Sequence, residues 1–231
     1  IRNVEAVYDE NRRLYKGFYG NARVTNIKRG RSHISASKCE DLLAMFIARH
    51  TDRFSCIHVE CSLTIPKTSL SKEAEKAKRK NPDITLIEEY QVITNLVELK
   101  LDIAWNRNGF TDFLKRQIED LETMKRGIEI KRDRENPCGC DNPQVKADSN
   151  YHVVVVTESN ASARTWEDTK SAAQKLEFEG MFLYTLSSGS HPNGYTDKGK
   201  KLLVHTWEFG RLIHNLQCRN RRNELWGRSD T

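Results

Sequence analysis

The chain has 231 residues, of which 37% are hydrophobic and 30% are charged, and its formal net charge is +6. A chain of this length can bury one sizeable core and needs no second domain, and the positive charge suits a polyanionic partner. No secretory signal and no apolar run of membrane-spanning length is visible, so we expect a cytoplasmic protein that does not enter a membrane.

Hydrophobic periodicity predicts a single α/β domain over residues 1–231. A basic N-terminal arm (1–34) precedes the expected core (35–157), and residues 158–231 form a C-terminal helix–strand–helix extension. In chain order the predicted elements are a helix at Ser35–His50, a strand at Phe54–Ile65, a short charged helix or loop at Lys72–Lys80, a hairpin, a helix at Thr111–Arg126 and a charged insertion at 128–150. They continue with a strand at His152–Thr157, a helix at Ala163–Leu176, a strand at Met181–Leu186 and a final helix at Lys198–Gln217.

The second strand of the hairpin has a clear two-sided pattern. Residues 96–103 alternate in polarity as in a half-buried strand. Side chains along a strand alternate with a period of two, so Glu98, Lys100 and Asp102 share one face. The opposite face is apolar and consists of Val97, Leu99, Leu101 and Ile103.

The first strand of the hairpin brings a second carboxylate to the polar face. Residues 83–87 are predicted as this strand, and a polar four-residue loop at 88–91 joins it to the next. A hairpin that is symmetric about this loop pairs residues whose numbers sum to 181. Asp83 then lies opposite Glu98, with Cβ atoms about 5 Å apart.

Two carboxylates this close repel each other unless a cation lies between them. Oxygen ligands suit Mg²⁺, or Mn²⁺ in its place, and the backbone carbonyl of Leu99 is a candidate to complete the coordination. Such an ion can polarise a phosphoryl oxygen and lower the pKa of a bound water. Lys100 is close enough to orient that water or to stabilise developing negative charge. The hairpin therefore predicts a metal-dependent nuclease site.

The motif Pro82-Asp83 … Glu98-Leu99-Lys100 resembles the signature of the PD-(D/E)XK nuclease superfamily. The resemblance implies a restriction-endonuclease-like mixed sheet with the core order α-β-β-β-α-β, and Mg²⁺ bound by Asp83 and Glu98. It also implies a further acidic residue on the first helix, for which Glu40 is the candidate and Asp41 its rival. The alternative for Glu40 is a capping box with Ser37.

Two other segments carry similar short motifs, at Glu129-Ile130-Lys131 and Asp168-Thr169-Lys170. Neither follows a Pro-Asp hairpin, and Asp168 lies in a helical pattern. The alternative for Glu98 and Lys100 themselves is an ordinary cross-strand pair on a solvated strand face.

The N-terminal arm is rich in cations interleaved with aromatic residues. A run without acidic residues favours contact with nucleic-acid phosphates and bases, and the candidate contacts are Arg12, Arg13, Lys28, Arg29 and Arg31. The alternative is a solvated arm whose aromatic residues pack on the domain. His33 follows this run. Its two alternative roles are a metal ligand and part of a phosphate-facing loop.

The cysteines do not favour a metal site, and weak zinc or redox binding at Cys138 and Cys140 is the minor alternative. Cys39, Cys56 and Cys61 lie in core-forming elements, where free buried thiols are expected. Cys138 and Cys140 are too close in sequence for the usual zinc half-site.

These patterns lead to one functional hypothesis and three alternatives. We expect a Mg²⁺-dependent endonuclease acting on double-stranded DNA, with a type II restriction endonuclease as the best single assignment and a homodimer as the suitable assembly. The enzymatic alternatives are an RNA endonuclease and a structure-specific repair or phage nuclease. The non-enzymatic alternative is a nucleic-acid-binding module on a nuclease-like fold.

Overall fold

The structure is a computed structural model that describes residues 33–65, 78–103, 109–130, 143–159, 161–189 and 201–218. Over these ranges the protein is of the mixed α/β class, as predicted. The α-helices are α1 (His33–His50), α2 (Phe110–Lys125), α3 (Ala163–Leu176) and α4 (Thr206–Gln217). The strands are β1 (Cys56–Val59), β2 (Leu63–Ile65), β3 (Lys78–Lys80), β4 (Ile84–Glu88), β5 (Val92–Lys100), β6 (Glu129–Ile130), β7 (Gln144–Val155), β8 (Met181–Thr185), β9 (Ser187–Ser188) and β10 (Leu203–Val204).

A five-stranded mixed sheet forms the centre of the fold, in the order β1-β4-β5-β7-β8. The pairs β1/β4 and β4/β5 are antiparallel, whereas β5/β7 and β7/β8 are parallel. The chain passes through α2 between β5 and β7 and through α3 between β7 and β8, because parallel neighbours need a crossover. Two small sheets accompany it, β3-β2-β6 and β9-β10.

Helices cover both faces of the large sheet and divide the core in two. The face of Leu96, Tyr151 and Val153 packs against α2 and α3. The face of Val97 and Leu99 packs against α1 and α4. Burial on both faces accounts for the nearly unbroken apolar run at the end of β7, as is usual for a parallel strand between two helical layers.

Helices α3 and α2 follow the sequence prediction closely. Helix α3 spans the predicted residues, and the side chain of its N-cap residue Ser162 accepts a hydrogen bond from the Thr165 N–H at 3.1 Å. Helix α2 begins and ends one residue before the predicted bounds, and it buries Leu114, Ile118 and Leu121.

The predicted strand Phe54–Ile65 is wrong as a single element. It is divided into β1 and β2, which belong to different sheets. Between them Glu60 has a φ of 56°, a left-handed conformation that a continuous strand does not contain. The turn at Glu60 therefore redirects the chain from the large sheet to a small one.

Three further predicted boundaries are wrong. Lys78–Lys80 is a strand, since it pairs with β2, and not part of a helix or loop. The segment predicted as an insertion over 128–150 contains β6 and the first half of β7. The final helix begins at Thr206, whereas it was predicted from Lys198.

The cysteine expectations hold in part. Cys39 and Cys61 are buried free thiols, but Cys56 is disulfide-bonded, so the prediction of a free thiol is wrong there. Cys138 and Cys140 lie outside the described residues. Within the part of the chain that the structure describes, no helix is long and apolar enough to cross a membrane.

Candidate active site

The β4–β5 hairpin has the predicted register where it matters for the site. Ile84 pairs with Val97 and Leu86 with Asn95, so paired numbers sum to 181. Beyond Leu86 the register shifts at a β-bulge, and a three-residue 3₁₀ turn at Glu89–Gln91 replaces the predicted four-residue loop. The shift leaves the site end unchanged, because it lies on the turn side of these pairs.

Asp83 immediately precedes β4 and is held against β5. Its Oδ2 accepts a hydrogen bond from the backbone N–H of Leu99 at 2.6 Å, which fixes the carboxylate between the positions of Glu98 and Lys100. The carbonyl of Asp83 accepts a second hydrogen bond from the N–H of Glu60 at 2.8 Å. The left-handed turn at Glu60 thus brings a further acidic residue to the site.

Glu98 is held by donors on both of its carboxylate oxygens. Oε1 pairs with the ammonium of Lys100, and Oε2 accepts a hydrogen bond from the Tyr151 hydroxyl at 3.1 Å. Lys100 Nζ also lies 5.7 Å from the centre of the Phe113 ring, within the range of a cation–π contact. The contacts differ from those of a solvated surface pair, because Glu98 is only 13% exposed.

Glu40 joins the site from α1 and is 7% exposed. Because α1 begins at His33, Glu40 lies in the second turn, and the capping-box alternative with Ser37 does not apply. Its Oε2 is buried without a hydrogen-bond partner. Burial, followed by the negative charges of Asp83 and Glu60, raises the pKa of Glu40 to about 7.

The pKa of Asp83 is also raised. Burial and then the charge of Glu98 raise its pKa to about 6, against the lowering effect of the Leu99 hydrogen bond and of Lys100. Asp83 is therefore the shared member of an acidic cluster, because its charge interacts with Glu98 and also with Glu40, and Lys100 compensates the negative charge only in part. Such a cluster favours the binding of a cation or a proton.

The cluster has the ligand chemistry for a hard divalent cation. Its donors are carboxylate oxygens, the type that Mg²⁺ and Mn²⁺ prefer. One of them, Glu40 Oε2, is buried and has no hydrogen-bond partner. Among the described residues, no three acidic, histidine or cysteine side chains already converge as a metal-binding group. The fit to such an ion therefore rests on the chemistry and charge of the donors and not on a formed set of ligands. The predicted contribution of the Leu99 carbonyl stays a prediction, since the observed contact of Leu99 is made by its N–H.

Sequence reasoning missed the residues that support Glu98 from behind. Tyr151 pairs with Leu96 across the parallel β5/β7 ladder, so its side chain lies on the face of Glu98. Lys80 Nζ is 5.6 Å from the centre of the Tyr151 ring and 3.2 Å from Oδ2 of the buried Asp120 on α2. The alternation of β7 is a local signal for Tyr151, but its register against β5 is not readable from sequence.

The other acidic residues named from the sequence lie on several parts of the fold. Asp102 follows the end of β5 and is half-buried, while Asp168 lies on α3, as its helical pattern indicated. Glu129 is on β6 in a small sheet. The candidate nucleic-acid contacts lie outside the described residues; they are Arg12, Arg13, Lys28, Arg29 and Arg31.

Comparisons with protein-family models, with curated proteins and with solved structures find no significant match to this chain.

Proposed function

We propose that this chain is a metal-dependent endonuclease with a restriction-endonuclease-like core. The observation that carries the proposal is the meeting of Asp83, Glu98 and Lys100 at the end of one hairpin, beside the buried carboxyl of Glu40. The order of α1, β1, β4, β5, α2 and β7 supports it, since this is the core order that the motif implies.

Each residue of the site has a separate task in the proposed reaction. Asp83 and Glu98 present fixed carboxylate oxygens to the cation, and Glu40 offers a third. A bound Mg²⁺ supplies Lewis-acid polarisation of the phosphoryl oxygen and a more acidic water. Lys100 holds Glu98 in place and presents an ammonium group where negative charge develops on the phosphate.

For the substrate we propose double-stranded DNA, cut by a homodimer in the manner of a type II restriction endonuclease. The net charge of +6 supports a polyanionic substrate. An RNA endonuclease and a structure-specific repair or phage nuclease remain the enzymatic alternatives. The complete set of Asp83, Glu98 and Lys100 disfavours a binding module, because an acidic cluster repels phosphates unless a cation lies between them.

A cleavage assay tests the proposal. Supercoiled plasmid, single-stranded DNA and structured RNA are incubated with the protein in Mg²⁺, Mn²⁺ or EDTA. We expect metal-dependent cutting that falls on the order of 10²–10³-fold in Lys100→Met and is lost in Glu98→Gln. Glu119→Gln, an exposed position on α2, is the matched control and is expected to cut like the wild type.

The substrate that is cut separates the alternatives. Discrete plasmid fragments favour the restriction enzyme, and preferential cutting of RNA favours the RNA endonuclease. Cutting that persists in EDTA or in Glu98→Gln contradicts the proposed site. Equal binding of nucleic acid by wild type and variants without any cutting identifies a binding module.

A further inference from the structure

Tyr151 is an entirely buried hydroxyl beside the candidate active site. It lies in β7, and its OH is 3.1 Å from Oε2 of Glu98. The Tyr151 hydroxyl therefore donates a hydrogen bond to Glu98 from a position that solvent does not reach.

The ring of Tyr151 is held by its surroundings. Asp120 on α2 is 7% exposed and binds the ammonium groups of both Lys78 and Lys80. Lys80 also donates to Gln117 and lies over the Tyr151 ring. These contacts tie β3, α2 and β7 together directly behind Glu98, which limits the positions that the hydroxyl can take.

Donors on the two oxygens of Glu98 have different consequences. The side chain of Lys100 is 35% exposed, whereas Tyr151 is inaccessible to solvent. The Lys100 contact can therefore open when a cation or phosphate binds, while the Tyr151 contact keeps the carboxylate in one orientation. Such outer contacts orient metal ligands, and their removal costs about 10–100-fold in metal affinity.

We propose that Tyr151 is a positioning residue that fixes the Glu98 carboxylate for cation binding through the hydroxyl–Oε2 hydrogen bond. This inference rests on the proposed function. It adds a residue that the motif does not contain and that does not touch the substrate.

Titration of the metal-free protein with Mn²⁺, followed by calorimetry, tests the proposal. Tyr151→Phe removes only the hydroxyl and keeps the ring under Lys80. The matched control is Tyr184→Phe, because Tyr184 is equally buried and its hydroxyl bonds to His152 at 3.0 Å and to Asn215 at 3.0 Å. Titrations are made at a temperature at which thermal unfolding shows every variant to be folded.

We expect Mn²⁺ affinity to fall about 10-fold or more in Tyr151→Phe and to be unchanged in Tyr184→Phe. Cleavage by Tyr151→Phe should recover at high Mn²⁺ concentration, which a general loss of stability does not produce. In the Glu98→Gln background the Tyr151→Phe change should have no additional effect on affinity.

The remaining outcomes separate this inference from the proposed function. If Glu98→Gln loses affinity while Tyr151→Phe keeps it, the positioning role is wrong and the metal site stands. An equal loss in Tyr151→Phe and Tyr184→Phe also overturns it, because any buried hydroxyl then has the same effect. If wild type and Glu98→Gln take up Mn²⁺ alike, the proposed function itself fails.

Discussion

The buried carboxyl of Glu40 predicts how the stability of the metal-free protein depends on pH. Its pKa is about 7 in the folded protein and 4.5 ordinarily. Between these values the folded state binds more protons than the unfolded state, so the free energy of unfolding falls as pH rises. The stabilisation is complete below about pH 4.5 and is lost as pH passes through 7.

The magnitude follows from the size of the pKa difference. One pH unit corresponds to about 1.4 kcal/mol, so moving from 4.5 to about 7 gives a loss on the order of 3 kcal/mol. Asp83 contributes with the same sign, but its contribution ends near pH 6.

Glu40→Gln isolates this effect, because the amide has nearly the same shape and no ionisation. In EDTA we expect the stability of wild type to fall relative to that of Glu40→Gln from about pH 4.5 to 7. Between pH 6 and 7, above the range in which Asp83 contributes, wild type should lose up to about 1.4 kcal/mol and Glu40→Gln should stay level. At pH 8 the variant should be the more stable protein, by up to about 3 kcal/mol.

Urea unfolding followed by circular dichroism measures these differences at fixed ionic strength. Glu119→Gln serves as the exposed control and should follow the wild-type curve. Parallel curves for Glu40→Gln and wild type from pH 5 to 8 would refute the assignment of a perturbed carboxyl to Glu40.

Three further predictions concern the site and the fold. Asp83→Asn keeps an acceptor for the Leu99 N–H but removes a charge. The stabilisation of wild type by Mn²⁺, about 2.7 kcal/mol at 100 times Kd, should therefore disappear in the variant when it is followed by differential scanning fluorimetry. An undiminished shift in melting temperature contradicts a role of Asp83 in metal binding. Leu96→Ala truncates a fully buried side chain under α2 and should cost about 2–5 kcal/mol in urea unfolding, and a cost below 1 kcal/mol argues against this packing. Ser162→Ala removes the acceptor for the Thr165 N–H and should lower the free energy of unfolding by about 1 kcal/mol. Ser162→Asp restores an acceptor and should keep most of the wild-type stability.

Local signals in the sequence predict the parts of the fold that depend on local contacts. The apolar repeat of α3 gives its bounds, and the hairpin pairing near Asp83 follows from alternation together with a hairpin symmetric about its loop. The alternation fails beyond Lys100, where β5 ends. Ile103 consequently packs with the α2–α3 side of the core. The pattern predicted that it would share a face with Val97, which belongs to the other side of the core.

Elements that depend on distant partners could not be placed in this way. The charged residues at the start of β7 look like an insertion, but the strand is formed because it continues the parallel ladder with β5. Lys78–Lys80 has no strand-like composition and becomes a strand because β2 is available beside it. Tyr151 and Lys80 were missed for the same reason, since their position beside Glu98 arises from these pairings.

The carboxyl groups on the two sides of the candidate site differ in their hydrogen-bond donors. On the β5 side, Glu98 has a donor on each oxygen and is held in one place. On the α1 side, Glu40 has an unpartnered oxygen and keeps its proton until about pH 7. A protonated Glu40 lowers the mutual repulsion of the acidic cluster, so the fold can tolerate the cluster when no cation is bound. Under the proposed function the cation replaces that proton, and metal binding is therefore linked to proton release. The same buried carboxyl that lowers the stability of the metal-free protein at neutral pH then favours the metal-bound protein.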